Sequence, residues 1–355
     1  MLSEKSFGKY LKVSLFFIFP LIMYNSCEKD DHQITEDVPL IRKEDTLKDY
    51  SPAVSFDITG RMLEGKRIDC IDPNYKGNTW IASGKELYYK NDSVEKIYTL
   101  DYPILDISIA GDETLWIGTN GGGLGHLTKN GITWYNKDNS DLPRDYVSNV
   151  EVGLDGRVWF SSGAQYLGGL LVYDGIKFTL FTPDNSILNQ HVIDDIGVDH
   201  NGSMYVVTYG KVGKTSVYRI TDNSWEYLGK FYWVSVFTVG PTGIIYLVVD
   251  YSLSSAPLYS NTIYEFRNNT WNKLEADFMS SPITLFTAIK ADRRNYCWAA
   301  SIKDNSYVLH VYNGNSWEEP PEELFLGDKI TTIETDNDNN IWVGTSQNGV
   351  FILKQ

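Results

Sequence analysis

The side chains in this chain best suited to holding a small molecule are Trp233 and Tyr232, adjacent in "KFYWVSV" at 230–236. Other short stretches add polar groups: Asn120 in "NGGG" (120–123), Arg144 and Tyr146 in "DLPRDY" (141–146), Gln165 and Tyr166 in "GAQYLGG" (163–169), and His191 in "LNQH" (188–191). Flat rings combined with amide, guanidinium and imidazole donors suit the binding of a neutral or acidic sugar. An ordinary solvated rim would use the same residue types. Catalytic and metal patterns are thinner. "DNDNN" (336–340) alternates acids like a calcium loop, but Ile341 stands where the turn glycine should be and no later Glu closes the site. It reads as a hairpin turn. His191 and His200 flank one apolar strand and should lie at its opposite ends, which argues against a shared metal or catalytic pair. With no nucleophile elbow, phosphate loop or zinc spacing, neither cofactor nor metal is expected.

Which elements position these residues follows from an internal repeat. "NNIWVGT" at the end of the chain recurs as "GNTWIAS" at Trp80, "ETLWIGT" at Trp116 and "GRVWFSS" at Trp159. Weaker copies are "GSMYVVT" at Tyr205, "GIIYLVV" at Tyr246 and "NYCWAAS" at Trp298, seven in all, 36 to 52 residues apart. A period near forty with short strands and Asn/Asp/Gly turns is the mark of a β-propeller with four strands per blade. The expected fold is therefore all-β, a seven-bladed β-propeller. Each unit decomposes into strand A, the Trp-bearing strand B, strand C, and a strand D with its own aromatic. This assigns nine of the ten tryptophans to packing slots: Trp80, Trp116, Trp159, Trp298 and Trp342 in strand B, and Trp134, Trp225, Trp271 and Trp317 in strand D. Trp233 alone fits neither slot, and is expected to form a stacking platform at the mouth of the central pore.

The last unit shows strands A, B and C but no D, whereas "AVSFDIT" (53–59) is a strand without a repeat. This N-terminal strand is expected to complete the last blade beside "GVFILKQ" (349–355) and so close the ring without a free sheet edge. The repeat resembles the two-component-regulator propeller family, whose units carry a D-x-x-G-x-[IL]-W-[IV]-G-T core. "GDETLWIGTNGGGLGHL" (111–127), "LDGRVWFSS" (154–162) and "NDNNIWVGTSQNGVFIL" (337–353) carry the resemblance. It covers residues 53–355 and implies the periplasmic sensor-type propeller fold and glycan-related biology. The kinase and regulator that accompany such propellers in that family have no counterpart in this sequence.

Residues 1–26 read as a leader: Lys5, Lys9 and Lys12 precede the apolar run 13–23, which is short for a membrane span. With "YNSC" ending at Cys27, the segment resembles a bacterial lipoprotein signal. That resemblance implies lipidation of Cys27, an outer-membrane location and, from "EKDD" (28–31), export to the cell surface in the manner of Bacteroidetes lipoproteins. The periplasmic face is the alternative. "DTL" (45–47) likewise resembles a Bacteroidetes O-glycosylation site. Residues 27–50 are charged and poor in aromatics, as in a flexible tether, and 51–355 form the propeller. The formal net charge is −15. Removal of 1–26 takes away three lysines and one glutamate and leaves −17. Nucleic-acid binding is excluded on that balance. Cys70 and Cys297 fall in strands of distant repeats and are expected to be buried free thiols.

In a propeller the A–B and C–D turns share one face, and the D–A and B–C connections share the other. The second face holds the length variation and all eight candidate residues, so binding is expected there. The functional expectation is a non-catalytic ligand-binding or sensory module, with glycans as the expected ligands. The alternatives are a scaffold for an outer-membrane protein partner and a propeller lyase, which would need His and Glu converging at the pore mouth.

Overall fold

The computed structural model describes residues 52–73, 77–163, 167–210, 215–222, 224–250, 261–276, 279, 285–303, 306–320, 324 and 327–355. The leader, Cys27 and the tether lie outside these residues. So do Gln165 and Tyr166.

Short runs rich in Val, Ile, Trp and Tyr, punctuated by Gly, Asn and Asp, pair into seven four-stranded antiparallel sheets. Strand A of blades 1 to 7 is Cys70–Pro73, Ile104–Ile109, Val150–Val152, Val192–Val198, Val234–Val239, Leu285–Ala291 and Ile330–Thr335. These strands line the centre. Strands B, C and D step outward, and apolar clusters fill the gaps between successive blades. The expected tryptophan slots are those observed: Trp298, for instance, is fully buried in strand B, whereas Trp271 lies in strand D with its indole N–H on the Leu228 carbonyl of the preceding blade at 2.8 Å.

Every A–B connection is five residues long, and the repeat motif explains why. The third residue before the strand B aromatic has positive φ in all seven blades: Gly77, Glu113, Gly156, Gly202, Gly243, Asn295 and Asn339. Glycine and asparagine adopt that conformation at least cost. In blades 4, 6 and 7 an aspartate six residues before the aromatic caps the turn. Asp199 accepts the Asn201 and Ser203 N–H groups at 2.8 and 3.0 Å and the Tyr205 hydroxyl at 3.0 Å. Asp292 and Asp336 do the same in blades 6 and 7, and accept from the Trp298 and Trp342 indoles at 3.1 and 3.0 Å. In blade 3 glycine occupies this position, and the Trp159 indole N–H has no partner.

Blade 7 takes its strand D, Ile58–Met62, from the N-terminal side of the chain, in the sheet order expected for ring closure. Ile58 pairs with Leu353 and Met62 with Val350, with a bulge after Ile58. The paired segment lies slightly downstream of 53–59: before Ile58 the pairing thins to one backbone bond, from Lys354 N–H to the Asp57 carbonyl at 3.2 Å, followed by side-chain contacts. Gln355 uses its amide as a surrogate backbone, accepting from Ser55 N–H at 3.2 Å and donating to Ser55 C=O at 2.7 Å. Arg294 of blade 6 clamps this junction by donating to the Ala53 carbonyl and to Gln355. Cys70 and Cys297 are buried and free, in blades 1 and 6.

Candidate functional site

Seven inner strands leave seven free edges, whose N–H groups must find partners. Side chains of the preceding blade supply several of them. Asp72 accepts from Ile109 N–H at 2.6 Å, Asp106 from Val150 at 2.8 Å, Ser108 from Val152 at 3.1 Å and Thr238 from Ala291 at 3.1 Å. The result is a central channel of about 530 Å³ lined by the carboxylates of Asp72, Asp106, Glu151, Asp195 and Glu334 and by Lys290.

Lys290 forms an ion pair with Glu334. Burial works against its charge, but Glu334 and the nearby acids outweigh it and its pKa is raised. Burial pushes Asp72 up to about 8, partly opposed by the Ile109 N–H, and Asp106 up to about 7. Glu151 and Asp195 are raised well above the usual carboxylate range, again chiefly by burial. The channel is thus a store of protons near neutral pH whose first duty is to satisfy inner-strand backbone. Among the described residues, no group of three His, Cys, Asp or Glu could hold a metal ion. The sequence reading passed over these acids. Their signal was the polar alternation of strand A, as in "ILDISI" (104–109) and "IETD" (333–336).

None of the six described candidate residues lines the channel. They stand instead on the rim of the loop face, the face of the D–A and B–C connections. Asn120 and Tyr146 are brought together by an isolated antiparallel bridge between blades 2 and 3. Asp145 C=O reinforces it by accepting from the N–H groups of Gly121 and Gly123 at 2.9 Å, and the Arg144 carbonyl accepts from the Ser162 hydroxyl at 2.8 Å. His191 is one blade further round, its ring nitrogen 3.2 Å from the Gly168 carbonyl. As expected it is at the opposite end of its strand from His200, whose N–H reaches Pro241 C=O on the turn face.

Trp233 lies another blade on, half-buried, its ring edge-on to Tyr209 at 6.0 Å. Tyr232 packs beside it against the cluster between blades 4 and 5. Phe231, although contiguous with them in sequence, belongs to strand D of blade 4 and packs on Trp271 at 4.8 Å. The "FYW" stretch is thus split between strand D of blade 4 and the entry to strand A of blade 5, and none of its three residues lines the channel.

The polar groups of the loop face differ in how far they are already used. In blade 7, Asp328 accepts from the Ser346 hydroxyl and from the Gln347 and Asn348 N–H groups, and its pKa is lowered because those bonds outweigh burial. In blade 4, Asn189 bonds Ser216 and Thr208. Of the nine large apolar or aromatic side chains exposed among the described residues, six lie at this face: Tyr102, Tyr146, Leu167, Ile187, Tyr209 and Leu285. Tyr102 and Tyr209 were missed in sequence because each looks like an ordinary strand-end tyrosine.

Comparison with known proteins agrees with the repeat and the fold. Residues 325–347 match the model of the family described as two component regulator propeller. The extracellular domain of a putative one component system from B. thetaiotaomicron superposes with a TM-score of 0.61 at 18% identity, covering 84% of this chain and 39% of that one. This chain thus spans about two-fifths of that domain. A catalytically inactive virginiamycin B lyase from Staphylococcus aureus, with quinupristin, has a TM-score of 0.64 at 16% identity over 84% of this chain and 98% of the lyase. YCF48 from Cyanidioschyzon merolae has a TM-score of 0.61 at 12% identity over 85% and 99%. No curated protein matches. Identities this low establish a shared propeller fold, and the terminal blade carries the two-component-regulator type of repeat.

Proposed function

We propose that this chain is a sensory or ligand-binding propeller module, held to the outer membrane through a lipid at Cys27, that takes glycans on its loop face. The observation that carries the reading is the contrast between the faces. The turn face spends its polar groups on capping, whereas the loop face keeps exposed tyrosines together with Arg144 and Asn120, whose side chains have no protein partner among the described residues. The resemblance of the repeat to sensor propellers, and extracellular neighbours from B. thetaiotaomicron, support the same reading.

A glycan array probed with the mature protein tests it. Binding that falls in Trp233→Ala or Tyr146→Ala, with melting unchanged, supports the proposal. Absence of any glycan signal, together with capture of a membrane protein in crosslinked pull-downs, would replace it with the scaffold reading. The anchor has its own test: labelled palmitate should enter the wild type and not Cys27→Ala. Incorporation into the mutant would refute lipidation at that residue.

A further inference from the structure

On the loop face, one patch differs from the rest in being both rigid and unspent. Tyr102, in the connection entering blade 2, lies over the glycine loop that follows strand B of the same blade. A Cβ placed on Gly122 would come 2.6 Å from the Tyr102 ring, and one on Gly121 would come 3.1 Å from it. The ring therefore rests directly on glycine backbone, a contact that other residue types would prevent. It remains 44% exposed, so its other side is open to solvent. The loop beneath is itself held: Asn120 N–H donates to the Pro103 carbonyl at 2.9 Å, and Gly121 and Gly123 donate to Asp145.

Asn120, next to the glycines, is bridged to Tyr146, which is 38% exposed. Two residues before Tyr146 stands Arg144, exposed, its guanidinium without hydrogen bond or ion pair among the described residues. The acid between them, Asp145, forms no ion pair with it among the described residues, and one of its carboxylate oxygens accepts instead from the Lys137 backbone N–H at 2.7 Å. The Asn120 amide is likewise exposed and unspent. A ring on a fixed support, a second ring, a free amide and a free guanidinium form the complement of a pyranose that carries a carboxylate. Ring faces take up the C–H side of a sugar, the amide pairs with vicinal hydroxyls, and arginine matches a carboxylate with two parallel bonds.

We propose that Tyr102, Asn120, Arg144 and Tyr146 form a subsite for a uronic-acid ring, with Tyr102 as its stacking platform. This rests on the glycan reading above and names the ligand class and residues that it leaves open. The test uses the mature protein on an array of uronate-bearing oligosaccharides and their carboxyl-reduced counterparts, followed by calorimetric titration of the best binder. Wild type should prefer the acidic member. Tyr102→Ala should weaken binding of both members about fivefold or more, the low end of what stacking on one ring contributes, while Tyr102→Phe retains it. Arg144→Gln should weaken only the acidic member, by about tenfold or more, and so abolish the preference. Binding that ignores Tyr102→Ala and Arg144→Gln, or that favours the carboxyl-reduced member, overturns the subsite and leaves the glycan reading standing. Absence of all glycan binding overturns both. Melting curves identify any variant that fails to fold, and Tyr102→Phe, with its ring intact, keeps the stacking claim testable if Tyr102→Ala is one of them.

Discussion

The two faces of the propeller are built from the same repeat and obey different rules. On the turn face every A–B connection has five residues, a left-handed residue at its third-from-aromatic position and, in three blades, an aspartate that caps both turn and aromatic. On the loop face the B–C connections run from 2 residues in blade 1 to 12 in blade 5. A turn whose polar groups are all committed cannot vary in length without losing a cap. The loop-face connections follow no common length, so nothing in the repeat fixes them. The regular face therefore holds the fold together, and the irregular one is free to bind.

The largest way to break this division is at the seam. Deleting residues 51–60 removes part of strand D of blade 7 and the segment clamped by Arg294 and Gln355. A marked fall in melting temperature is expected by calorimetry, and a truncated protein that melts like the full chain would refute the closure. Next comes Asp292, fully buried on the turn face, which holds two turn N–H groups, the Trp298 indole and the nearly buried Arg294 guanidinium. Asp292→Ala strands that cation, and should destabilise by about 3–5 kcal/mol in urea unfolding. Arg144→Ala, on the loop face, should change stability by less than about 0.5 kcal/mol. Equal costs at the two positions would erase the distinction between the faces.

The channel sharpens the comparison through pH. Asp72 and Asp106 hold protons up to about 8 and about 7, and Glu151 and Asp195 are raised in the same direction. An unfolded chain releases such protons at about pH 4. Between those limits the folded state binds more protons, so stability should fall as pH rises from about 4 to about 8. Melting temperatures measured from pH 5 to pH 8 should decline, and less so in Glu151→Gln. A rise over that interval would show that the acids are ionised in the folded state.

The fold was legible because the repeat is. Trp80, Trp116, Trp159, Trp298 and Trp342 mark strand B at near-regular spacing, and the unpaired segment before blade 1 predicts the closure. Strand boundaries were less legible, since Gln355 pairs through its side chain, which no hydrophobic pattern records. The candidate site was read only in part. Loop position pointed to Asn120, Arg144 and Tyr146, but Tyr102 gains its meaning from glycines some twenty residues away, visible only once the loop is folded. Trp233 stood out by exclusion, which says that packing slots do not need it, not where its ring points. The channel acids looked like ordinary alternation in strand A because their partners are backbone groups of the next blade.

The central claim is that the loop face binds and the turn face holds. Its most direct test is one glycan-array measurement comparing the wild type with a triple Tyr102→Ala, Tyr146→Ala, Tyr209→Ala variant, whose three tyrosines are all exposed on the loop face. Glycan signals in the wild type that vanish in a triple variant of unchanged melting temperature are the predicted result. Signals that survive in the triple variant, or that never appear in the wild type, would contradict the account.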